Sequence, residues 1–270
     1  MTYNLFTTDR LQPPQISDAL ASCLRVEPNA VDVADFDGDQ ENRNWDALAL
    51  CDYSHVLGDV SLTMNIFVQE AVSQQPAEPD FASRFAAAAQ TVVLYPAEEQ
   101  LPSAYWLVTP TGLVTRARLL ASDDERPEYS IDAVEAAVPQ LPGVRVMQLP
   151  EIVREQHVPT PITSEFIHAT ELLRKAQESP TGPALTDEPG SHLYHSRAYL
   201  AEWERMVRHM ESGWHPTGNY PFELYCEALL ARDRIGQLPE QLPGPVADLL
   251  RTFVGQLDEA FKKYTASDDT

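Results

Sequence analysis

Glycine, lysine and paired cysteine are scarce in this chain, and each scarcity removes a class of function. Only 11 of the 270 residues are glycine, and neither GxGxxG nor GxxxxGK[ST] occurs. Phosphate cradles need clustered glycines at a strand-to-helix turn, so the two common nucleotide-binding fingerprints are ruled out. The three cysteines, Cys23, Cys51 and Cys226, are isolated and odd in number, with no CxxC. Neither a disulfide framework nor a cysteine-rich zinc site is supported, and a reducing cytoplasm is the expected setting. There is no G-x-S-x-G elbow, and no cysteine has a visible histidine partner, so no catalytic residue is nominated. No apolar run reaches 18 residues, and the opening MTYNLFTTDRLQPP lacks a cationic segment followed by an apolar stretch. The expectation is a cytoplasmic chain with no secretory signal and no membrane partner.

Positive charge is also in short supply. Nineteen basic residues, three of them lysine, face 41 acidic ones for a formal net charge of −22. Residues 1–100 hold 16 acids and 4 bases, and residues 151–270 hold 19 and 11. Nucleic-acid binding needs cations to displace phosphate counterions, so this field repels nucleic acid and attracts a basic partner. With 43% apolar residues, the chain can nevertheless fill an ordinary core.

Periodicity separates two parts. Residues 1–150 read as a sheet domain with two helices. Strands are expected at Tyr3–Thr8, Val31–Phe36, Leu48–Val56, Val60–Val68, Thr91–Tyr95, Ala104–Thr109, Leu113–Leu120, Tyr129–Glu135 and Val144–Leu149. Helices are expected at Ile16–Leu24 and Asp80–Ala89. The clearest alternation is Val60–Val68: Val60, Leu62, Met64, Ile66 and Val68 make one buried face, and Ser61, Thr63 and Asn65 a polar one that only Phe67 interrupts. Leu57-Gly58-Asp59 joins this strand to its partner as a hairpin. Residues 151–270 read as helical, with apolar stripes at Tyr199–Met210, Leu224–Leu229 and Val246–Phe261. The fold class is therefore α+β, an N-terminal antiparallel or mixed sheet with two helices and a C-terminal helical part lying on or beside it.

The densest acidic run is VDVADFDGDQENRNWDA, residues 31–47. Counted from Asp35, acids stand at positions 1, 3, 5, 7 and 12, which imitates a calcium loop. The glycine, however, is at 4 instead of 6, Arg43 stands at 9, and Asp46 replaces the bidentate glutamate. No metal and no cofactor is expected. Asp35, Asp37, Asp39, Glu41, Trp45 and Asp46 are instead candidate partner-binding residues, set against the plainer reading of a solvated turn. An aromatic in a polar loop either anchors a partner or folds back onto the core, and folding back is the default for Trp45. His192 and His195 have the spacing to face one ion but lack convergent further ligands. His209, Trp203 and Tyr220, with Gly213, Trp214 and His215, read as an aromatic cluster at a helix end. Arg116 and Arg118 alternate onto one face, where carboxylates of neighbouring strands are their expected partners.

The acidic front end with VDVADFDGDQENRNWDA, and the tail from NYPFELYCEALLARDRIGQLP to LRTFVGQLDEAFKKYT, resemble the immunity proteins of bacterial polymorphic toxin systems. That resemblance implies an acidic binding protein that neutralises a toxin by stoichiometric association, its acids matching a basic toxin domain. It transfers no functional residue. A secretion chaperone or scaffold, and an enzyme with an active site outside known motifs, are the alternatives. Oligomeric state is not legible.

Overall fold

Alternation of apolar and polar residues sets where the strands form and which face each one buries. In the computed structural model, residues 1–41, 43–73, 75–97, 101–124, 126–176, 186–212 and 220–265 are described. They form two compact units, Met1–Glu155 and Gln156–Thr270, and the fold is α+β with a helical C-terminal part.

The first unit carries strands β1 (Thr2–Thr7), β2 (Val31–Asp35), β3 (Ala49–His55), β4 (Leu57–Gly58), β5 (Leu62–Val68), β6 (Val93–Pro96), β7 (Ala104–Val108), β8 (Val114–Ala121), β9 (Glu128–Val134) and β10 (Arg145–Val146). Helices α1 (Pro13–Leu24), α2 (Glu78–Ala89) and α3 (Pro150–Glu155) accompany them. The strands lie in the order β10-β9-β8-β7-β6-β1-β5-β3-β2, and β4 also pairs with β9. Because β4 directly follows β3 in the chain, this last pairing curls the sheet round until it closes on itself at one end. Pairing is mostly antiparallel, but β2–β3, β4–β9 and β9–β10 are parallel, so the sheet is mixed.

Closure depends on Gly58. Its φ is +100°, and a Cβ there would stand 2.0 Å from the Tyr129 carbonyl oxygen. Only glycine lets the two backbones meet this closely. Asp59 completes the junction: its backbone N–H donates to the Tyr129 carbonyl at 2.7 Å, and its carboxylate accepts from the Ile131 N–H at 2.8 Å.

Alternate residues of the strands feed two large cores and, through Ala104 and Ala133, a small cluster with Leu149 and Ile152. Tyr3, Leu5, Cys51, Met64 and Ile66 point towards α1 and α2, where they meet Ile16, Leu20, Phe81 and Phe85; the Tyr3 and Phe81 rings stack 3.9 Å apart. Leu94, Leu107, Ala117 and Ile131 point inside the curl and form the second core with Val60 and Val138. Burial pushes the Cys23 thiol up to about 12 and raises Cys51 further, so both are neutral packing groups. Arg116 and Arg118 meet carboxylates, as their alternation implied. Arg116 pairs with Glu135 at 3.2 Å, and Arg118 with Asp132 and Glu151, each at 2.6 Å. Glu135 also accepts from the Leu149 N–H, which ties the start of α3 to the sheet. The expected strand Val144–Leu149 is cut to Arg145–Val146, because the chain turns into the α3 helix at Pro150.

The second unit contains α4 (Pro161–Ala176), α5 (His192–Glu211), α6 (Phe222–Ile235) and α7 (Gly244–Thr265). Helix α5 packs against the other three and buries Leu200, Trp203, Met206 and Val207. The α7 stripe buries Val246, Leu250, Phe253 and Leu257. Glu204, wholly buried on α5, accepts from the Ile162 and Thr163 N–H groups at 2.9 and 2.7 Å and from the Thr163 hydroxyl. These are first-turn donors of α4 that have no partner within their own helix.

Candidate functional site

Parallel neighbours such as β2 and β3 cannot be joined by a tight turn; they need a crossover of about a dozen residues or more. The acidic run is that crossover. Asp32 in β2 and Asp52 in β3 point to the sheet face opposite α1 and α2, and Arg43 reaches back to bridge them. Its Nε donates to Asp32 Oδ2 at 2.8 Å, and its Nη1 donates to Asp52 Oδ1 and to Gln40 Oε1. The Arg43 side chain keeps only 5% of its surface. Burial alone would lower its pKa, but the hydrogen bonds it donates to Asp32 and Asp52, with the charges of those carboxylates, outweigh that and raise it. The loop also holds itself: the Asp37 N–H donates to Asp35 Oδ1, the Glu41 N–H to Asp39 Oδ1, and the Asn44 N–H to Asp32 Oδ1. Gln40 and Gln69 side chains donate to loop carbonyls.

This pinning decides what faces outward. Trp45 does not fold back onto the core. Its ring lies 4.7 Å from the Arg43 guanidinium and is 58% exposed. The cation replaces the core as the partner of one ring surface, since a polar loop stretched over a sheet leaves no apolar pocket beneath it. Phe36, the last residue of the expected strand Val31–Phe36, lies just past β2 and is 66% exposed. Asp37, Asp39, Glu41 and Asp46 are exposed in the same loop, and Asp35 is half-buried. Of the six candidate residues, Asp35, Asp37, Asp39 and Glu41 thus share one short arc, and Trp45 and Asp46 lie beyond Arg43 on the returning strand of the loop. Across residues 26–83, Arg43 is the only cation among twelve acids.

Beside the loop, the open sheet face carries a groove of about 270 Å³. Register builds it in rows. Asn4, Asn65 and Asp52 are direct neighbours across β1, β5 and β3, and the next row sets Phe6 beside Thr63 and Ser54. Phe36 continues that second row past the end of β2, where its N–H donates to the Tyr53 carbonyl. Phe6 seals the inner end by packing edge-on to Tyr105 and Tyr129, at 5.3 and 5.4 Å. Among the described residues the side chains of Asn4, Ser54, Thr63 and Asn65 make no hydrogen bond, so their donors and acceptors face the groove unused. None of these was singled out from sequence as a site residue. The signal existed: Thr63, Asn65 and Phe67 are the less buried half of the Val60–Val68 alternation.

The other candidate chemistries find no geometry. Among the described residues, no group of three or more His, Cys, Asp or Glu side chains is placed to hold a metal ion. His195 stacks on Tyr199, and His192 lies 3.4 Å from the Gln241 carbonyl. His209 packs on Tyr220 at 5.2 Å, whereas Gly213, Trp214 and His215 lie outside the described residues. No described helix is long and apolar enough to cross a membrane. Searches against family models, curated proteins and solved structures find no match for this chain.

Proposed function

We propose that this chain is an acidic cytoplasmic binding protein of the immunity type, which neutralises a basic toxin-like protein by stoichiometric association through the β2–β3 crossover. One observation carries the reading. Two large aromatic rings, Phe36 and Trp45, are exposed on an acid-rich loop that Arg43 already ties to β2 and β3. Exposed aromatics on a rigid support are what interface anchors consist of, because little ordering entropy remains to be lost on binding. The surrounding acids supply long-range attraction to a basic surface and so act on the rate of encounter.

The test is kinetic. Replacing Asp35, Asp37, Asp39 and Glu41 by Asn or Gln keeps the side-chain oxygens that the loop uses and removes four charges. Association with the purified partner is expected to slow by about tenfold or more at low salt, with dissociation much less affected. Inhibition of the partner's activity should reach completion at one equivalent of wild-type protein. An unchanged association rate would reduce the acidic run to a connection between strands.

A further inference from the structure

We propose that the groove on the open sheet face is a receptor for an arginine side chain on an extended basic segment of the partner. This rests on the reading of the crossover as a docking surface and adds the chemistry of what enters beside it. The groove offers an unusual set of groups for an otherwise hydrocarbon-rich sheet. At the β3 end of its first row is Asp52, whose side chain is 36% exposed; its Oδ1 accepts from Arg43 and its Oδ2 has no described partner. Next to it across the sheet stand the Asn65 and then the Asn4 amides, and one row along are the Ser54 and Thr63 hydroxyls. Neighbours within a row are about 5 Å apart, and rows are about 7 Å apart along the strands.

Together these groups present one anionic and several neutral acceptors over a small flat area. A guanidinium has five N–H donors in a planar fork, with no acceptor, and matches such an array better than the compact ammonium of lysine. Phe36 and Phe6 flank the second row, and a guanidinium can stack on such rings. Beyond the first row, exposed Phe67 and half-buried Leu50 are cross-strand neighbours that suit the methylene stem of the incoming residue. Charge selects the same occupant. Asp32, Asp52 and Arg43 together keep one net negative charge, and the crossover acids add to it. An anionic ligand is repelled, and an uncharged one can donate to the free Asp52 oxygen but leaves the negative charge unneutralised. The unused amides of Asn4 and Asn65, each able to donate and accept, suit the main chain of an extended segment as well.

The experiment uses the full chain, ¹⁵N-labelled, titrated with the blocked peptide Ac-Gly-Arg-Gly-Arg-Gly-NH2 and its lysine and citrulline counterparts, read by NMR. The arginine peptide is expected to shift the side-chain amide signals of Asn4 and Asn65, to bind at least threefold more tightly than the lysine peptide, and to lose binding when citrulline replaces arginine. Asn65→Leu, at an exposed strand position, should weaken it at least fivefold while the melting temperature holds. Asp52→Asn should weaken it further, and Asn65→Leu decides the matter if that second variant does not fold. Shifts confined to Asp37 and Glu41, equal for arginine and lysine, would overturn the groove proposal and leave the crossover reading standing. Absence of any shift at Asn4 and Asn65 would also overturn it. Loss of partner association in the crossover charge variant is a separate result, because that variant leaves Asn4, Asn65 and Asp52 in place.

Discussion

The same strands of the first unit present two faces of different character. On β1, β5 and β3, Leu5, Met64, Ile66 and Cys51 are buried under α1 and α2, while their immediate neighbours Asn4, Asn65 and Asp52 stand open on the other side. A two-residue period obliges adjacent side chains to opposite faces, so one stretch of sequence serves the core and the surface at once. Fully apolar strands would have suited a sheet covered on both sides. The amide, hydroxyl and carboxylate rows mark a face kept free of a covering layer within this unit. The lesson is that the less buried half of a strong alternation is the place to look for a site.

The largest test of this comparison swaps polarity between neighbours. Ile66→Asp places a charge without a partner among Leu5, Met64 and Phe81, and is expected to cost about 4 kcal/mol or more, enough to unfold the unit. Asn65→Asp, one residue earlier, is opposed only by repulsion from Asp52 across the strand and should cost no more than about 1 kcal/mol. Chemical denaturation of both variants measures the contrast, and equal losses would mean that the two faces are not distinct. Gly58→Ala comes next. A methyl group 2.0 Å from a backbone oxygen forces β4 off β9, with an expected loss of about 2–4 kcal/mol and faster hydrogen exchange at Asp59 and Ile131. Arg43→Ala sits lower, at about 2 kcal/mol. Asp32 and Asp52 then face each other without their shared cation, but Asp52 is partly solvated and the penalty of a buried charge is incomplete. Its clearer signature is a rise in Trp45 mobility, seen as lower fluorescence anisotropy.

Much of this fold is legible in the sequence, because its signals are local. The α7 stripe from Val246 to Leu257 and the alternation of Val60–Val68 both report burial within a single element. Gly58 was legible as a turn residue, but its close approach to Tyr129 was not, since that contact joins segments 71 residues apart. The acidic run shows the same divide. Its composition points to a surface, yet its role as a parallel crossover depends on β2 pairing beside β3 in the same direction, which no local pattern encodes. Trp45 reads as a residue that returns to the core, and only the position of Arg43 explains why it stays out. The Asn4–Asn65–Asp52 row needs the register of three strands, so sequence alone had no means to assemble it.

The central claim is that the open face and its crossover bind a basic protein. The most direct measurement is capture from an extract of the cells that make this chain, run in parallel with the wild type and with a Phe36→Ala, Trp45→Ala double variant, washed at low and high salt. Both proteins should melt alike, since neither ring is part of a core. The account predicts one dominant basic protein, retained in equal stoichiometry by the wild type at low salt, depleted at high salt, and lost from the variant. Equal retention by the variant, or no retained protein at either salt, would contradict it.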